Sequence, residues 1–193
     1  SNNIYSLFTD LNGQLWTSLE SGISLIMNNL PFANYTDKNG LDGSVYSIQK
    51  FKNKLYAGTS NNLYIQNKEN NFEKIEGTEG QNFFMLQAKE KLLLGNSQKG
   101  IFSINDNQAL QSKSLKNVSS AVAKKLHKYP NYIITYVWNK GLALLEYKNE
   151  QWVFKHFIIG FDKNLRNIEE DNNGYLWVDA NNSLYQLRLN ETL

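Results

Sequence analysis

The chain has 193 residues, of which 41% are hydrophobic and 20% are charged. This composition supplies enough apolar side chains for a folded core and is not that of an intrinsically disordered protein. Its net charge is +2 and its basic residues are scattered, so no nucleic-acid partner is expected. The absence of cysteine excludes disulfides and thiol chemistry, and no apolar run is long enough to span a membrane.

Alternating apolar residues bounded by turn residues predict short strands along the whole chain. The first segment begins at Ile4, turns at Asn12-Gly13 and continues into a densely apolar second strand around Trp16. A tight turn ending at Gly or Asn, a third strand and a weaker fourth strand follow, and this order recurs along the chain. Fourth strands are predicted at 32–35, 72–75, 109–112 and 152–156.

These segments are copies of one repeat. The first and last copies are offset by a constant 161 residues, which aligns Ile4 with Leu165, Asp10 with Asp171, and Trp16 with Trp177. A four-stranded unit of about 40 residues cannot bury both faces of its sheet alone, whereas radial stacking of neighbouring units buries them. We therefore predict an all-β fold, a β-propeller of four-stranded antiparallel blades. The aligned second-strand residues, expected in the core between blades, are Trp16, Tyr56, Leu93, Ile134 and Trp177, spaced by 40, 37, 41 and 43 residues.

About five blades are present in one propeller segment, 1–193. The fifth copy stops after its third strand, and no spare strand precedes Ile4 to complete it. We therefore expect a partial ring whose partners are the remaining blades or sensor domains of a longer parent protein, and exposed sheet edges favour a homodimer. The predicted blades are 4–41, 45–78, 82–115, 118–160 and 165–189.

Two strings carry a family resemblance: Asp10-Leu-Asn-Gly13-Gln-Leu-Trp16 and Asp171-Asn-Asn-Gly174-Tyr-Leu-Trp177. They are similar to the two-component regulator propeller repeat, in which an apolar strand precedes an Asp-x-x-Gly-x-Leu-Trp turn and strand. The middle copies match less closely, and the fourth lacks the Asp-x-x-Gly turn. The resemblance implies the extracytoplasmic, periplasmic sensor region of a Bacteroides-type hybrid two-component system. It also implies a glycan-derived oligosaccharide ligand and a membrane histidine kinase elsewhere in the parent protein.

Residues for catalysis or metal binding form no recognisable pattern. The two histidines, His127 and His156, lie in different elements and belong to no repeated cluster. Calcium takes about six to eight oxygen ligands, far more than the short turns at Asp10 and Asp171 can supply. These carboxylates are expected to bind the backbone of their own turns instead. We therefore predict a non-enzymatic module without a cofactor or a metal site.

A ligand-binding face follows from the topology. In a four-stranded meander, the turns between the second and third strands lie at the same end as the loops between blades. An exposed tryptophan beside amide and charged groups is typical of carbohydrate or partner recognition. The alternatives are packing beneath the loop for Trp138 and an ordinary surface charge for Arg166. The candidate ligand-binding residues on this face are Glu20, Asn61, Trp138, Asn139, Lys140 and Arg166.

Three functions remain open at this point. The repeat and the lack of a catalytic signature favour a module that senses a ligand and signals to a membrane kinase. A protein-interaction scaffold without a small ligand is the second hypothesis. The third is a polysaccharide lyase or glycosidase, which would require paired acid and base groups at the mouth of the central channel.

Overall fold

The computed structural model describes residues 3–27, 30–161 and 163–190. In this part of the chain, the strands form five separate antiparallel sheets, each joined as a simple meander. Blade 1 contains β1 (Ile4–Thr9), β2 (Leu15–Leu19), β3 (Gly22–Met27) and β4 (Leu30–Tyr35). A short 3-10 helix (Asp37–Asn39) leads to blade 2, with β5 (Val45–Phe51), β6 (Lys54–Thr59), β7 (Leu63–Gln66) and β8 (Phe72–Ile75).

The remaining blades repeat this order. Blade 3 contains β9 (Asn82–Ala88), β10 (Lys91–Asn96), β11 (Gly100–Asn105) and β12 (Gln108–Lys116). Blade 4 contains β13 (Ser120–Lys125), β14 (Tyr132–Val137), β15 (Gly141–Lys148) and β16 (Gln151–Phe157). Blade 5 has three described strands, β17 (Leu165–Glu170), β18 (Tyr175–Ala180) and β19 (Ser183–Arg188). The prediction of an all-β propeller with about five blades is confirmed.

The blades are held together by apolar clusters that lie between consecutive sheets. The innermost strands β1, β5, β9, β13 and β17 contact one another in that order. Between blades 1 and 2, Trp16 packs with Val45 and Ile48, and between blades 2 and 3, Tyr56 packs with Leu92 and Leu94. Consecutive sheets therefore bury the faces between them, as the repeat predicts.

The two ends of this series are open. Among the described residues, no apolar cluster joins blade 5 to blade 1. Trp177 is 37% exposed, which corrects the prediction that it lies in the core. The reason is that Trp177 faces away from blade 4, toward the side where a next blade would stand.

The Asp-x-x-Gly turns of blades 1 and 5 have the same hydrogen bonds. The Asp10 carboxylate accepts from Asn12 N (2.8 Å), Gln14 N (3.1 Å) and the indole Nε1 of Trp16 (3.3 Å). The Asp171 carboxylate accepts from Asn173 N, Tyr175 N and Trp177 Nε1 at 2.9, 3.0 and 2.9 Å. Each aspartate thus joins its turn to the tryptophan of the following strand.

Replacing Asp10 by asparagine is expected to destabilise the fold by about 1–3 kcal/mol, because the buried indole N–H of Trp16 loses its charged acceptor. Asp171→Asn, with the same hydrogen bonds in a more exposed turn, is the matched control and is expected to cost less. Urea unfolding of both variants at pH 7 measures the difference. If both variants lost the same free energy of unfolding, burial of the turn would have no effect on how much its hydrogen bonds contribute to stability.

The same carboxylate gives a pH dependence. Burial raises the pKa of Asp10, but the hydrogen bonds from Gln14, Trp16 and Asn12 and the charge of Lys50 outweigh it, so that the pKa is lowered below 3.8. Its contribution to stability is therefore present above its unfolded pKa and is lost as the pH falls through the folded value. Wild type is expected to lose more stability than Asp10→Asn between about pH 5 and pH 2.

Candidate ligand-binding face

The turns between second and third strands and the loops between blades meet at one end of the molecule, which we call the loop face. Backbone hydrogen bonds join each turn to its neighbouring loop. Ser60 N donates to Ser44 O (2.8 Å), Ser97 N donates to Gln81 O (2.8 Å), and Trp138 N donates to Ser119 O (2.9 Å). The loop face comprises turns 20–21, 60–62, 97–99, 138–140 and 181–182, with loops 36–44, 76–81, 117–119, 158–161 and 163–164.

Each innermost strand has a β-bulge at its loop-face end. In blade 2, Val45 lies opposite Thr59 and Ser47 lies opposite Gly58, so that Tyr46 is an extra residue. The pairing of the other four first strands shifts at the equivalent position. A bulge redirects one side chain out of the alternating pattern and is common beside binding sites. The five extra residues are Tyr5, Tyr46, Phe83, Ala121 and Arg166.

Three of these bulge residues form a row of aromatic rings, which we call the axial row. The rings of Tyr5 and Tyr46 are 6.3 Å apart, and those of Tyr46 and Phe83 are 5.6 Å apart, measured between centroids. Tyr5 is 47% exposed, and Tyr46 and Phe83 are half-buried. On blade 5, the exposed Arg166 occupies the matching position and donates from Nη2 to Asn182 Oδ1 at 3.4 Å.

The turn of blade 4 brings three predicted residues together. Trp138 is 47% exposed and its ring stands edge-on to that of Tyr136 at 5.9 Å. Asn139 adopts a left-handed backbone conformation (φ 59°), and Lys140 N donates to Val137 O at 3.0 Å. Lys140 also lines a shallow cavity of about 410 Å³ with residues 157–161. The indole of Trp138 thus contacts the ring of Tyr136 edge-on and leaves about half of its surface accessible.

The other predicted residues lie on separate blades. Glu20 is in the exposed turn of blade 1, and Asn61 is in the turn of blade 2. Asn61 binds the loops on both sides of it. Its side-chain Nδ2 donates to Asp42 Oδ2 (2.8 Å), and its backbone carbonyl accepts from Gly80 N (2.9 Å). Glu20 and Asn61 therefore lie on the loop face beside blades 1 and 2, while Trp138 and Arg166 lie on blades 4 and 5.

An ion pair fixes the loop face between blades 2 and 3. Lys99 Nζ donates to Glu79 Oε2 and to the carbonyl of Gly77. The hydrogen bond from Lys99 lowers the pKa of Glu79 to about 2, with a smaller effect from backbone N–H groups. This pair ties loop 76–81 to turn 97–99 at physiological pH.

Solved structures share this fold at low sequence identity. The extracellular domain of BT4673 from Bacteroides thetaiotaomicron is described as a one-component system in one crystal structure and as a hybrid two-component system in another. These match with TM-scores of 0.72 and 0.66, at 15% and 12% identity, over 96% and 100% of this chain. The chain spans only 29% and 32% of their lengths. The chain is a β-propeller.

Other propellers match as well. A catalytically inactive virginiamycin B lyase from Staphylococcus aureus, solved with quinupristin, matches with a TM-score of 0.68 at 11% identity, over 97% of this chain and 70% of the lyase. No protein-family model and no curated protein matches the sequence. At these identities the likeness is one of fold. The neighbours nevertheless include the extracellular domain of a hybrid two-component system, the class of protein that the resemblance of the repeat implies.

The propeller also has a cavity of about 610 Å³ on its rim, between the outer strands of blades 3 and 4. Trp152 and Phe154 line one wall, Leu110 lines the other, and Leu93 is at the floor. None of the predicted site residues borders it. This rim cavity is a second place where a small molecule could bind, and it is distinguishable from the loop face by mutation.

The histidines do not contribute to the loop face. The exposed His127 has its Nδ1 3.3 Å from Glu170 Oε2, and His156 is on the outer strand β16. Within the described ranges, no three His, Cys, Asp or Glu side chains are grouped to hold a metal ion. No helix in those ranges has the length and hydrophobicity needed to cross a bilayer. The groups that the face offers include aromatic rings, amides, the guanidinium of Arg166, lysine ammoniums and several carboxylates.

The residues predicted from the sequence for the loop face include Arg166 but not the axial row. A signal was present, because an aromatic residue follows the first residue of three aligned strands: Ile4-Tyr5, Val45-Tyr46 and Asn82-Phe83. If the first strands are assumed to alternate regularly between their two faces, these three rings are expected to be ordinary side chains on one face of the sheet. The bulge that sets them apart becomes visible only in the strand pairing.

Proposed function

We propose that this propeller is the ligand-recognition part of an extracytoplasmic sensor region, which binds a glycan-derived ligand at its loop face. The bound state would then pass to a membrane histidine kinase elsewhere in the parent protein, and the module itself would be periplasmic and non-enzymatic. The observation that carries the proposal is the axial row with Arg166 in register. The shared fold with extracellular domains of two-component systems supports it.

The chemistry of the axial row suits a sugar. The apolar C–H face of a pyranose stacks on a flat aromatic ring, while amides and charged groups around it bind the hydroxyls. Tyr5 and Tyr46 also carry phenolic hydroxyls that can donate or accept. Arg166 adds a planar fork of N–H donors, which matches a carboxylate in two hydrogen bonds. The loop face should therefore prefer oligosaccharides that contain a uronic acid.

Isothermal titration calorimetry of the purified chain with neutral and uronic-acid oligosaccharides tests this proposal. Tyr46→Ala is expected to weaken binding by roughly 10-fold, the value of one stacking contact. Arg166→Gln is expected to weaken binding of the acidic sugars and leave the neutral ones unchanged.

The control variant is Leu110→Trp, which fills the rim cavity at an exposed position and should leave sugar binding unchanged. Circular dichroism verifies that all variants fold. Two results would contradict a glycan site on the loop face. One is the absence of any heat of binding with both the neutral and the uronic-acid oligosaccharides. The other is binding that is lost in Leu110→Trp and unchanged in Tyr46→Ala.

A protein-interaction scaffold is the second proposed function. It is supported by large apolar side chains exposed at the two ends of the blade series, such as Leu7 and Leu184. Exposed apolar patches of this kind mark contacts with proteins more than with sugars. Binding of a protein partner that Tyr46→Ala does not disturb would favour this function over glycan sensing.

A further inference from the structure

Blade 5 exposes a surface that every other blade buries against the next one. The clearest position is the apolar residue near the start of the third strand. In blades 1 to 4 this residue is at most 3% exposed and packs in the cluster shared with the following blade, whereas in blade 5 it is 67% exposed. The aligned residues are Ile23, Leu63, Ile101, Leu142 and Leu184.

The second-strand tryptophans show the same difference. Trp16 and Trp177 make the same indole hydrogen bond to the turn aspartate, so their ring orientations match. Trp16 is 8% exposed because blade 2 covers it with Val45 and Ile48, whereas Trp177 is 37% exposed. Trp177 and Leu184 lie on one side of blade 5, opposite the side that contacts blade 4, and we call this the front face.

Blade 1 exposes the opposite half of the interface. Leu7 is 62% exposed, but the aligned Ile48 of blade 2 and Ile168 of blade 5 are buried against the preceding blade. Ile4 is likewise exposed, although the aligned Val45 is fully buried. Ile4 and Leu7 define the back face of blade 1.

The front face of blade 5 and the back face of blade 1 are therefore the two halves of the contact that recurs between all neighbouring blades. A second copy of this chain carries the complementary half of each. We propose that two copies associate head to tail, with Trp177 and Leu184 of one copy packed on Ile4 and Leu7 of the other. Such a heterologous contact either closes with a second, identical contact or extends into a chain of copies.

Sedimentation velocity of the full chain over a wide concentration range tests this contact. Wild type is expected to sediment faster as the concentration rises. Leu184→Lys and Leu7→Lys each place a charge in one half of the contact, at positions exposed enough to leave folding intact. Each variant alone is expected to associate at least 10-fold more weakly than wild type.

The mixture of the two variants distinguishes head-to-tail contact from other arrangements. The Leu184→Lys copy keeps its back face and the Leu7→Lys copy keeps its front face, so an equimolar mixture is expected to form a one-to-one dimer that neither variant forms alone. Leu110→Lys, exposed on the rim and remote from both ends, is the control and should associate like wild type.

Three outcomes would overturn the proposal. A wild type that stays monomeric at all concentrations would mean that the occupant of the end faces is something other than a second copy, such as a further blade. Loss of association in only one of the two end variants would indicate contact between like faces. A mixture that remains monomeric would exclude head-to-tail packing.

Discussion

Replacing Gly100 by alanine is expected to destabilise the propeller by about 3–5 kcal/mol, one of the largest effects of any single methyl group in this chain. Gly100 begins β11 with φ 90°, a backbone conformation that L side chains rarely adopt. An ideal Cβ there would lie 1.8 Å from the carbonyl oxygen of Leu115 on β12. Because the obstacle is backbone, no rotamer change can relieve the clash, and the outer strand has to move.

Gly77→Ala is the matched control for this prediction. Gly77 has a similar φ of 83°, but a Cβ there would meet nothing within 4 Å. Its alanine variant should lose only about 1 kcal/mol, the cost of the strained backbone alone. Urea unfolding of both variants separates the two contributions. If Gly100→Ala and Gly77→Ala had similar unfolding midpoints, β12 would be able to move away from the new methyl group at Leu115 without a measurable loss of stability.

This close approach explains why the turn before the third strand ends at glycine in several blades. A Cβ at Gly22 would lie 1.7 Å from the carbonyl oxygen of Tyr35, and one at Gly141 would lie 2.6 Å from that of Phe161. In each case the start of the third strand passes the end of the fourth strand or the loop after it. In blade 5, which has three described strands, Ser183 takes this position.

The strand order was predictable because it depends on local signals. Alternating apolar residues, Asp-x-x-Gly turns and a period near 40 residues specify a four-stranded unit that must stack. Blade 4 shows where these signals weaken. Its first strand, Ser120–Lys125, has small and charged residues, and Lys124 there forms an ion pair with Glu169 of blade 5 in place of an apolar contact.

Burial at the ends was less predictable, because a repeat defines which face a residue occupies and not what covers that face. Trp16 and Trp177 follow the same Asp-x-Asn-Gly-x-Leu pattern and make the same hydrogen bond, yet one is buried and the other is not. The axial row was missed for a related reason. Its side chains are grouped by bulges and by the positions of neighbouring blades, and neither is encoded within a single copy of the repeat.

The loop face and the core meet in a buried polar network between blades 2 and 3. Asn82, Asn96 and Thr78 are fully buried there. Asn82 Nδ2 donates to the carbonyls of Thr78 (3.1 Å) and Gly80 (2.8 Å), and the hydroxyl of Ser47 donates to the carbonyl of Asn82 (3.2 Å). The innermost strands that carry Tyr46 and Phe83 are thus fixed to the loop above them by side-chain amides.

Asn96 is the most connected member of this network, and Asn96→Ala is expected to cost about 3–4 kcal/mol. Its Nδ2 donates to the carbonyl of Glu79 (3.1 Å) and to Asn82 Oδ1 (3.1 Å), with a longer bond to Thr78. Its Oδ1 accepts from Gln98 N and Lys99 N, both at 2.9 Å. Alanine removes all of these hydrogen bonds and leaves the buried Oδ1 of Asn82 without this donor.

Asn67→Ala serves as the control for Asn96. The Asn67 side chain also accepts from two backbone N–H groups, those of Glu69 (3.0 Å) and Asn71 (2.9 Å), but in an exposed turn where water replaces the lost bonds. Asn67→Ala should therefore lower the free energy of unfolding by less than about 1 kcal/mol. Hydrogen exchange gives a second readout, since the amides of Gln98 and Lys99 should exchange faster only in Asn96→Ala. Equal unfolding midpoints and unchanged exchange would mean that the loop face is held by backbone contacts alone.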